Sequence, residues 1–281
     1  MESTGQKDFL KNLVREWKNS GHTIGFVPTM GALHQGHLDL VRRARRECDR
    51  VVVSIFVNPL QFNNPEDLLK YPRHPEADAA MLESELVDLL YSPQATDFYQ
   101  IPSVTTLDFG SAGAGLEGAM RPGHFSGVGL VLARLFHLVQ PDKAYFGAKD
   151  LQQVAVVKTL VRDLEFPLEV VRCTTRREEN GLAMSSRNMR LSPDGIQLAS
   201  HLHKALQLAM GNSKGHINPL SSKSAALDYL HTFPGIEIEY LEWVDANSMQ
   251  IWNEGPEPEE PAVCLAAWVE GVRLIDNLIA E

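Results

Sequence analysis

His34 and His37 stand three residues apart with Gly36 between them, in the order His-x-Gly-His, and their setting decides what they could do. Ile24 to Val27 reads as a short buried strand, and Pro28-Thr29-Met30-Gly31 breaks it. From Gly36 onward Leu40, Val41, Ala44 and Cys48 follow a helical period. Both imidazoles therefore sit where a strand hands over to a helix N-terminus. Free backbone N–H groups and the positive end of the helix dipole make such a junction a phosphate site. Gly36 has no Cβ, so a phosphate can approach the backbone closely. Each imidazole can donate a hydrogen bond to an oxygen that gains charge during phosphoryl or nucleotidyl transfer. A lone histidine near a loop is ordinarily a polar surface or core residue; two at this spacing, with the glycine and the strand, argue for chemistry.

Other residue types complete the picture. The run Gly147-Ala148-Lys149-Asp150-Leu151-Gln152-Gln153 repeats the order strand, glycine, polar residues, helix, and Lys149 there could neutralise phosphate as a point cation. The run from Gly181 to Asn188 places two hydroxyls, Ser185 and Ser186, beside the Arg187 guanidinium, a set suited to clamping an anion. Taken singly, a solvated lysine and a helix-capping Ser-Ser are the commoner uses of these residues. Gln61 follows the apolar run Val51 to Val57 at its carboxyl end, the edge where open parallel sheets bind ligands.

The elements that must position these groups alternate. After an amphipathic helix marked by Phe9, Leu10, Leu13, Val14 and Trp17 come strands at 24–27 and 51–57, a loop at 63–75, and a helix at about 75–85. A strand at 87–91, an irregular stretch at 96–115, a helix to about Val139, a strand at 143–146, a helix to about Asp163 and a strand at 168–173 follow. This alternation predicts an α/β fold with a doubly wound parallel sheet over residues 1–175. Residues 176–281 change character: helices at 193–210 and 219–231 precede strands at 236–244, 262–269 and 272–275, the last two joined by Glu270-Gly271. That order predicts a smaller C-terminal α+β domain with an antiparallel sheet, in which the acidic stretch 253–261 is a rigid connector.

At 281 residues the chain can hold two such domains, and 44% hydrophobic with 22% charged residues is ordinary for a soluble globular protein. A net charge of −10 argues against nucleic acid as the main partner. The arginines at 42, 43, 45, 46 and 50 read as a solvated helix face. Cys48, Cys173 and Cys264 are far apart, odd in number and without Cys-x-x-Cys spacing, so no disulfide framework or zinc site follows. Without an uninterrupted apolar run of roughly 20 residues or a signal-peptide pattern, a cytoplasmic location away from the membrane is expected.

His34-Gln35-Gly36-His37 resembles the signature of the nucleotidylyltransferase and class I aminoacyl-tRNA synthetase superfamily, whose members activate a carboxylate or phosphate on the α-phosphate of a nucleotide. More specifically, the chain resembles the pantoate–β-alanine ligase family. The segments PTMGALHQGH, SIFVNPLQF, EGAMRPGHF, VQPDKAYFG with KDLQQ, GLAMSSRN and RLIDN occur in family order between residues 28 and 277. The resemblance implies a Rossmann-like nucleotidylyltransferase domain and a two-step reaction. ATP and pantoate would give pantoyl adenylate and pyrophosphate; β-alanine would then displace AMP.

By the same resemblance, Met30, Gly31, Ala32, Leu33, His34, Gln35, Gly36 and His37 line the ATP site, with Gly147, Ala148, Lys149, Asp150, Arg176, Met184, Ser185, Ser186 and Arg187. His34, His37, Lys149, Ser185, Ser186 and Arg187 would hold the phosphates and stabilise their developing charge. Gln61 and Gln153 would bind pantoate, with Gln61 also near β-alanine. Mg²⁺ would bridge the phosphates, with Asp78 as a candidate ligand, and the assembly would be a homodimer. Ala148 stands where many relatives have Glu, and Arg176 where they have an apolar residue near the adenine. An enzyme that adenylates a different acceptor and a non-catalytic nucleotide-binding protein are the competing readings. Residues 63–75 are the candidate lid.

Overall fold

Mostly apolar runs become the central strands of a sheet, polar or mixed runs its edges, and runs that are apolar on one side become the helices that cover it. The strands are β1 (Glu2–Thr4), β2 (Ile24–Thr29), β3 (Arg50–Ile55), β4 (Leu89–Tyr91), β5 (Lys143–Gly147) and β6 (Glu169–Cys173). In this computed structural model, which describes residues 1–63, 65–211 and 217–280, they form one sheet in the order β1-β4-β3-β2-β5-β6. Every pairing in it is parallel. Alternate residues of a strand serve opposite faces. Phe26 and Val52 join a core with Leu132, Phe136 and Val157, while Val27, Val51 and Val53 join one with Val41 and Tyr145.

The covering elements are α1 (Lys7–Asn19), α2 (Gln35–Glu47), α3 (Pro65–Lys70), α4 (Pro75–Ser84), three single turns α5 (Ala95–Phe98), α6 (Ser111–Ala114) and α7 (Glu117–Met120), then α8 (His124–Val139) and α9 (Leu151–Asp163). From β2 the chain steps outward to β3 and β4, then crosses back to place β5 and β6 on the other side of β2. The winding direction reverses between β2 and β5, so the loops leaving their carboxyl ends flank a crevice where such sheets bind ligands. Those are the loops that carry His34, His37 and Lys149.

The second half builds its own core. Helices α10 (Pro193–Met210) and α11 (Pro219–Leu230) pack on an antiparallel sheet, β7 (Ile236–Asp245), β8 (Pro261–Val269) and β9 (Val272–Ile279). Leu202, Leu206, Trp243 and Leu265 lie at its centre. A separate apolar cluster joins the halves, with Leu151 and Ala155 meeting Val244, Met249 and Cys264.

Several elements differ from the sequence reading. β3 stops at Ile55 because Asn58 turns the chain into a 3-10 segment, Pro59–Gln61, with its side chain accepting the Leu60 N–H. Strand β9 runs on to Ile279, paired along its length with β8. The stretch 63–75 holds helix α3; residue 64 of it lies outside the described residues. The arginine run is partly exposed and also paired: Arg42 meets Asp39 and Glu85, Arg43 meets Glu47, Arg45 and Arg50 both meet Asp88, and Arg46 is exposed. All three cysteines are buried and free. Among the described residues no helix is long and apolar enough to cross a membrane.

Candidate functional site

At the entry to α2 the two histidines cap the helix reciprocally. Nδ1 of His34 accepts the Gly36 N–H at 3.2 Å, and Nδ1 of His37 accepts the His34 N–H at 3.3 Å. Two orphan donors of the first turn are thus satisfied, a contribution of about 1 kcal/mol for a typical cap. A ring nitrogen that accepts carries no proton, so each neutral imidazole keeps its proton on Nε2. The rings lie with centroids 4.1 Å apart. Gly36 permits this: a Cβ there would meet His34 Cε1 and Nδ1 at 3.0 Å.

Burial, followed by the charge of Lys149, lowers the His34 pKa to about 4. Burial, the neighbouring His34 and Lys149 lower that of His37 to about 3. At neutral pH both rings are therefore uncharged Nε2–H donors, able to bind growing negative charge without losing a proton.

The loop between β2 and α2 is strained and pinned. Gly31 and Ala32 have positive φ, +85° and +49°. The carboxylate of Asp78 on α4 accepts the N–H of Ala32 at 2.9 Å and of Leu33 at 2.8 Å, and the residue is 1% exposed. These charge-assisted bonds offset the cost of a left-handed alanine. This corrects the reading of Asp78 as a metal ligand: both of its oxygens are turned into the loop backbone. Among the described residues no group of three or more His, Cys, Asp or Glu could hold a metal ion.

Two more loops converge on the same place. Lys149 stands in a 3-10 turn, Ala148–Asp150, between β5 and α9. The segment 176–184 is a small hairpin, with the Met184 N–H donating to the Arg176 carbonyl at 2.9 Å and Arg177 bridged to Ala183. It delivers Ser185, whose hydroxyl accepts the Arg187 N–H at 3.3 Å. Ser186 shares the cavity wall with Tyr71, whose own pKa is raised by burial. Arg187 faces Asp67 of α3 at 3.4 Å. Arg176 pairs with Asp39 at 3.3 Å at the rim, half exposed.

Gln61 is held from several sides. Its carboxamide accepts from Asn58 Nδ2 at 3.1 Å and donates to Met30 Sδ at 2.9 Å. Nδ1 of His124 donates to its backbone carbonyl at 2.8 Å. Arg121 reaches the same carbonyl at 3.4 Å and His124 Nε2 at 3.3 Å. Burial and then the charge of Arg121 lower the His124 pKa to about 4. Burial and then Arg187 lower that of Arg121.

One cavity of about 230 Å³ is lined by His34, His37, Gln61, Lys149, Gln153 and Arg176, together with Met30, Gly36, Gly147, Asp150 and residues 184–187. A second, of about 350 Å³, opens beside it toward the C-terminal sheet. Arg121, His124, Lys149, Asp150, Gln153, Ser185 and Arg187 line both. Of the remaining residues expected to line the ATP site, Ala32 and Leu33 are buried beneath the loop and Ala148 beneath its turn. Gly31 likewise lies outside both cavity walls, and Gln35 turns toward Arg42, whose guanidinium it accepts at 3.3 Å.

Arg121, His124, Asn58 and Tyr71 are site residues that the sequence reading did not name. Arg121-Pro122-Gly123-His124 carries a usable signal: a cation and an imidazole three apart, with a glycine between, at the start of α8.

Comparison with known proteins agrees with this architecture. The family described as pantoate-beta-alanine ligase matches residues 3–279. The pantothenate synthetase of Cytophaga hutchinsonii is 49% identical over 265 residues, covering 94% of this chain and 94% of that protein. That of Ruegeria pomeroyi is 48% identical over 268 residues, covering 93% of this chain and 91% of that protein. Among solved structures, pantothenate synthetase from Thermus thermophilus has a TM-score of 0.91 at 42% identity and covers 99% of each chain. Pantoate-beta-alanine ligase from Francisella tularensis, solved with beta-gamma ATP and beta-alanine, has a TM-score of 0.80 at 32% identity, covering 100% of this chain and 98% of that one.

Proposed function

The chain belongs to the pantoate–β-alanine ligase family, and from that premise we propose that it joins pantoate to β-alanine in two steps driven by ATP. A carboxylate resists amine attack because it has no good leaving group; adenylation supplies AMP as one. In the first step a pantoate oxygen attacks the α-phosphorus, the bond to the β-phosphate breaks, and pyrophosphate leaves. In the second, the amine of β-alanine attacks the acyl carbon, loses a proton, and AMP departs. No protein nucleophile takes part.

The observation that carries this reading is the single cavity that gathers His34, His37, Lys149 and Ser185–Arg187 with Gln61 and Gln153. Neutral Nε2–H donors, the Lys149 ammonium, the Arg187 guanidinium and the serine hydroxyls can bind a phosphorus centre with extra negative charge better than they bind ground-state ATP. The fixed carboxamide of Gln61, with Gln153 in the same cavity wall, offers hydrogen bonds to the hydroxyls and carboxylate of pantoate. Arg176, on the rim beside Gly36, is a nucleotide contact in the same reading.

Mg²⁺ enters this scheme with the nucleotide. The described residues offer scattered carboxylates, of which Asp150 lines both cavities, and that donor set suits an ion held chiefly by phosphate oxygens and water. Bound there, it would neutralise charge on the departing pyrophosphate. Residues 63–75, tied to the site through Asp67 and Tyr71, serve as the lid; 1–175 and 176–281 are the two domains. A cytoplasmic homodimer completes the reading, and sedimentation velocity tests the assembly.

The deciding experiment is pantoate-dependent release of pyrophosphate from ATP, followed by release of AMP when β-alanine is added. Folded, Mg²⁺-supplied protein that does neither overturns the proposal. ATP–pyrophosphate exchange with other small carboxylates but not pantoate assigns a different acceptor.

A further inference from the structure

Strand β9 belongs to the C-terminal sheet, yet three of its polar side chains hold loops of the site. Arg273 donates to both oxygens of Glu117 at 2.7 Å. Asp276 receives the Arg177 guanidinium at 2.6 and 3.0 Å, and Arg177 also donates to the carbonyls of Gly181 and Asn277. Asn277, 5% exposed, donates from Nδ2 to the carbonyls of Ala148 at 2.9 Å and Lys149 at 2.8 Å.

The third contact differs in kind from the other two. Arg273 and Asp276 join side chain to side chain, which fixes one element against another. Asn277 grips two consecutive backbone carbonyls. One belongs to the peptide before the Lys149 Cα and the other to the peptide after it. With both planes held, φ and ψ of Lys149 are set, and so is the direction in which its side chain leaves the backbone. That side chain lines both cavities and lowers the pKa of both imidazoles.

We propose that Asn277 is a positioning residue for catalysis: by gripping the carbonyls on either side of the Lys149 Cα it aims the lysine ammonium at the departing phosphates. The inference rests on the ligase reading given above. The Asn277 carboxamide comes from a separate sheet and reaches both carbonyls of the turn from the wall of the larger cavity, which Lys149 also lines. Its effect is on geometry in the transition state; the pantoate contacts at Gln61 and Gln153 are untouched. A misplaced catalytic group of this kind costs rate, while binding of the other substrate stays as it was.

The test is a double-mutant cycle on the full-length protein, with pantoate-dependent pyrophosphate release as the readout. Asn277→Ala should lower kcat by at least about tenfold while leaving the pantoate KM within about twofold. In a Lys149→Met background the same change should cost less than about twofold, because the group it aims is gone. Asn277→Ser keeps one donor and should recover part of the rate; it also serves as the test variant if the alanine protein melts below assay temperature. A loss of equal size in both backgrounds, or an unchanged kcat in the wild-type background, overturns the inference alone. A wild-type protein that releases no pyrophosphate overturns the ligase reading, and this inference with it.

Discussion

The backbone N–H of His34 points at Nδ1 of His37, 3.3 Å away, so the residue that caps the helix is itself capped by the residue one turn on. The same bonds fix the tautomer of both rings and leave both Nε2–H groups for the cavity. In the ligand-free protein, ¹⁵N-resolved spectra should show both histidines as neutral Nε2–H forms at pH 6, titrating toward about 4 for His34 and about 3 for His37. A midpoint near the ordinary imidazole value for either would mean that burial does not control it. His37→Ala removes one donor and one cap acceptor together, and should slow adenylation by at least about tenfold. Unchanged turnover would take His37 out of the mechanism.

Withheld protons have a consequence for stability. His34, His37 and His124 have native pKa values lowered to about 4, about 3 and about 4, each with burial as the leading cause. Below about pH 6.5 the unfolded chain binds protons that the native state refuses, so the protein loses stability as pH falls through this range. Each group adds a slope of at most about 1.4 kcal/mol per pH unit until its native pKa is reached. Urea unfolding should therefore give a clearly lower free energy at pH 5 than at pH 7, with His124→Gln flattening the difference. Equal stabilities at the two pH values would contradict the burial of these rings.

How much of this could be read without coordinates depends on whether a residue's role is set by its neighbours in sequence. Strands β2 and β3 declare themselves because burial on both faces demands continuous apolar residues, and α10 because Ser192-Pro193 starts it and Gly211 ends it. The polar strand Glu2–Thr4 carries no such pattern; it exists only because β4 offers it backbone partners. Pro65-Glu66-Asp67 is a helix-start pattern that the loop reading of 63–75 passed over. Within the site, cations and imidazoles next to glycine are legible. The direction in which a carboxylate aims its lone pairs is not, which is why Asp78 reads as a metal ligand. Asn277 is harder still, since its task depends on the register of β9 against a loop 128 residues away.

Asp78 provides a direct contrast between those two roles. Its carboxylate satisfies two buried N–H groups in the His-x-Gly-His loop. Asp78→Ala should leave both donors unpaired and destabilise the fold by roughly 2–5 kcal/mol, measured by denaturant unfolding. The loop it releases carries His34, so the ATP KM should rise as well. The Mg²⁺ concentration for half-maximal rate should stay where it is. A variant of normal stability with a shifted Mg²⁺ requirement would restore the metal-ligand role.

Asp67, which meets one terminal nitrogen of Arg187 at 3.4 Å, competes with a phosphate for the guanidinium. Both side chains are 32% exposed, so the pair is worth no more than about 1 kcal/mol. Whatever part of that sum is lost when a phosphate draws the guanidinium away is withdrawn from nucleotide binding. Asp67→Asn keeps the shape and removes the competing charge, and should tighten ATP binding by up to about fivefold in calorimetry. Because the pair is partly exposed, the gain should shrink as ionic strength rises. Weaker ATP binding in this variant would mean the opposite relation: that Asp67 holds the guanidinium in its phosphate-binding orientation, and that α3 contributes through the aspartate instead of in spite of it.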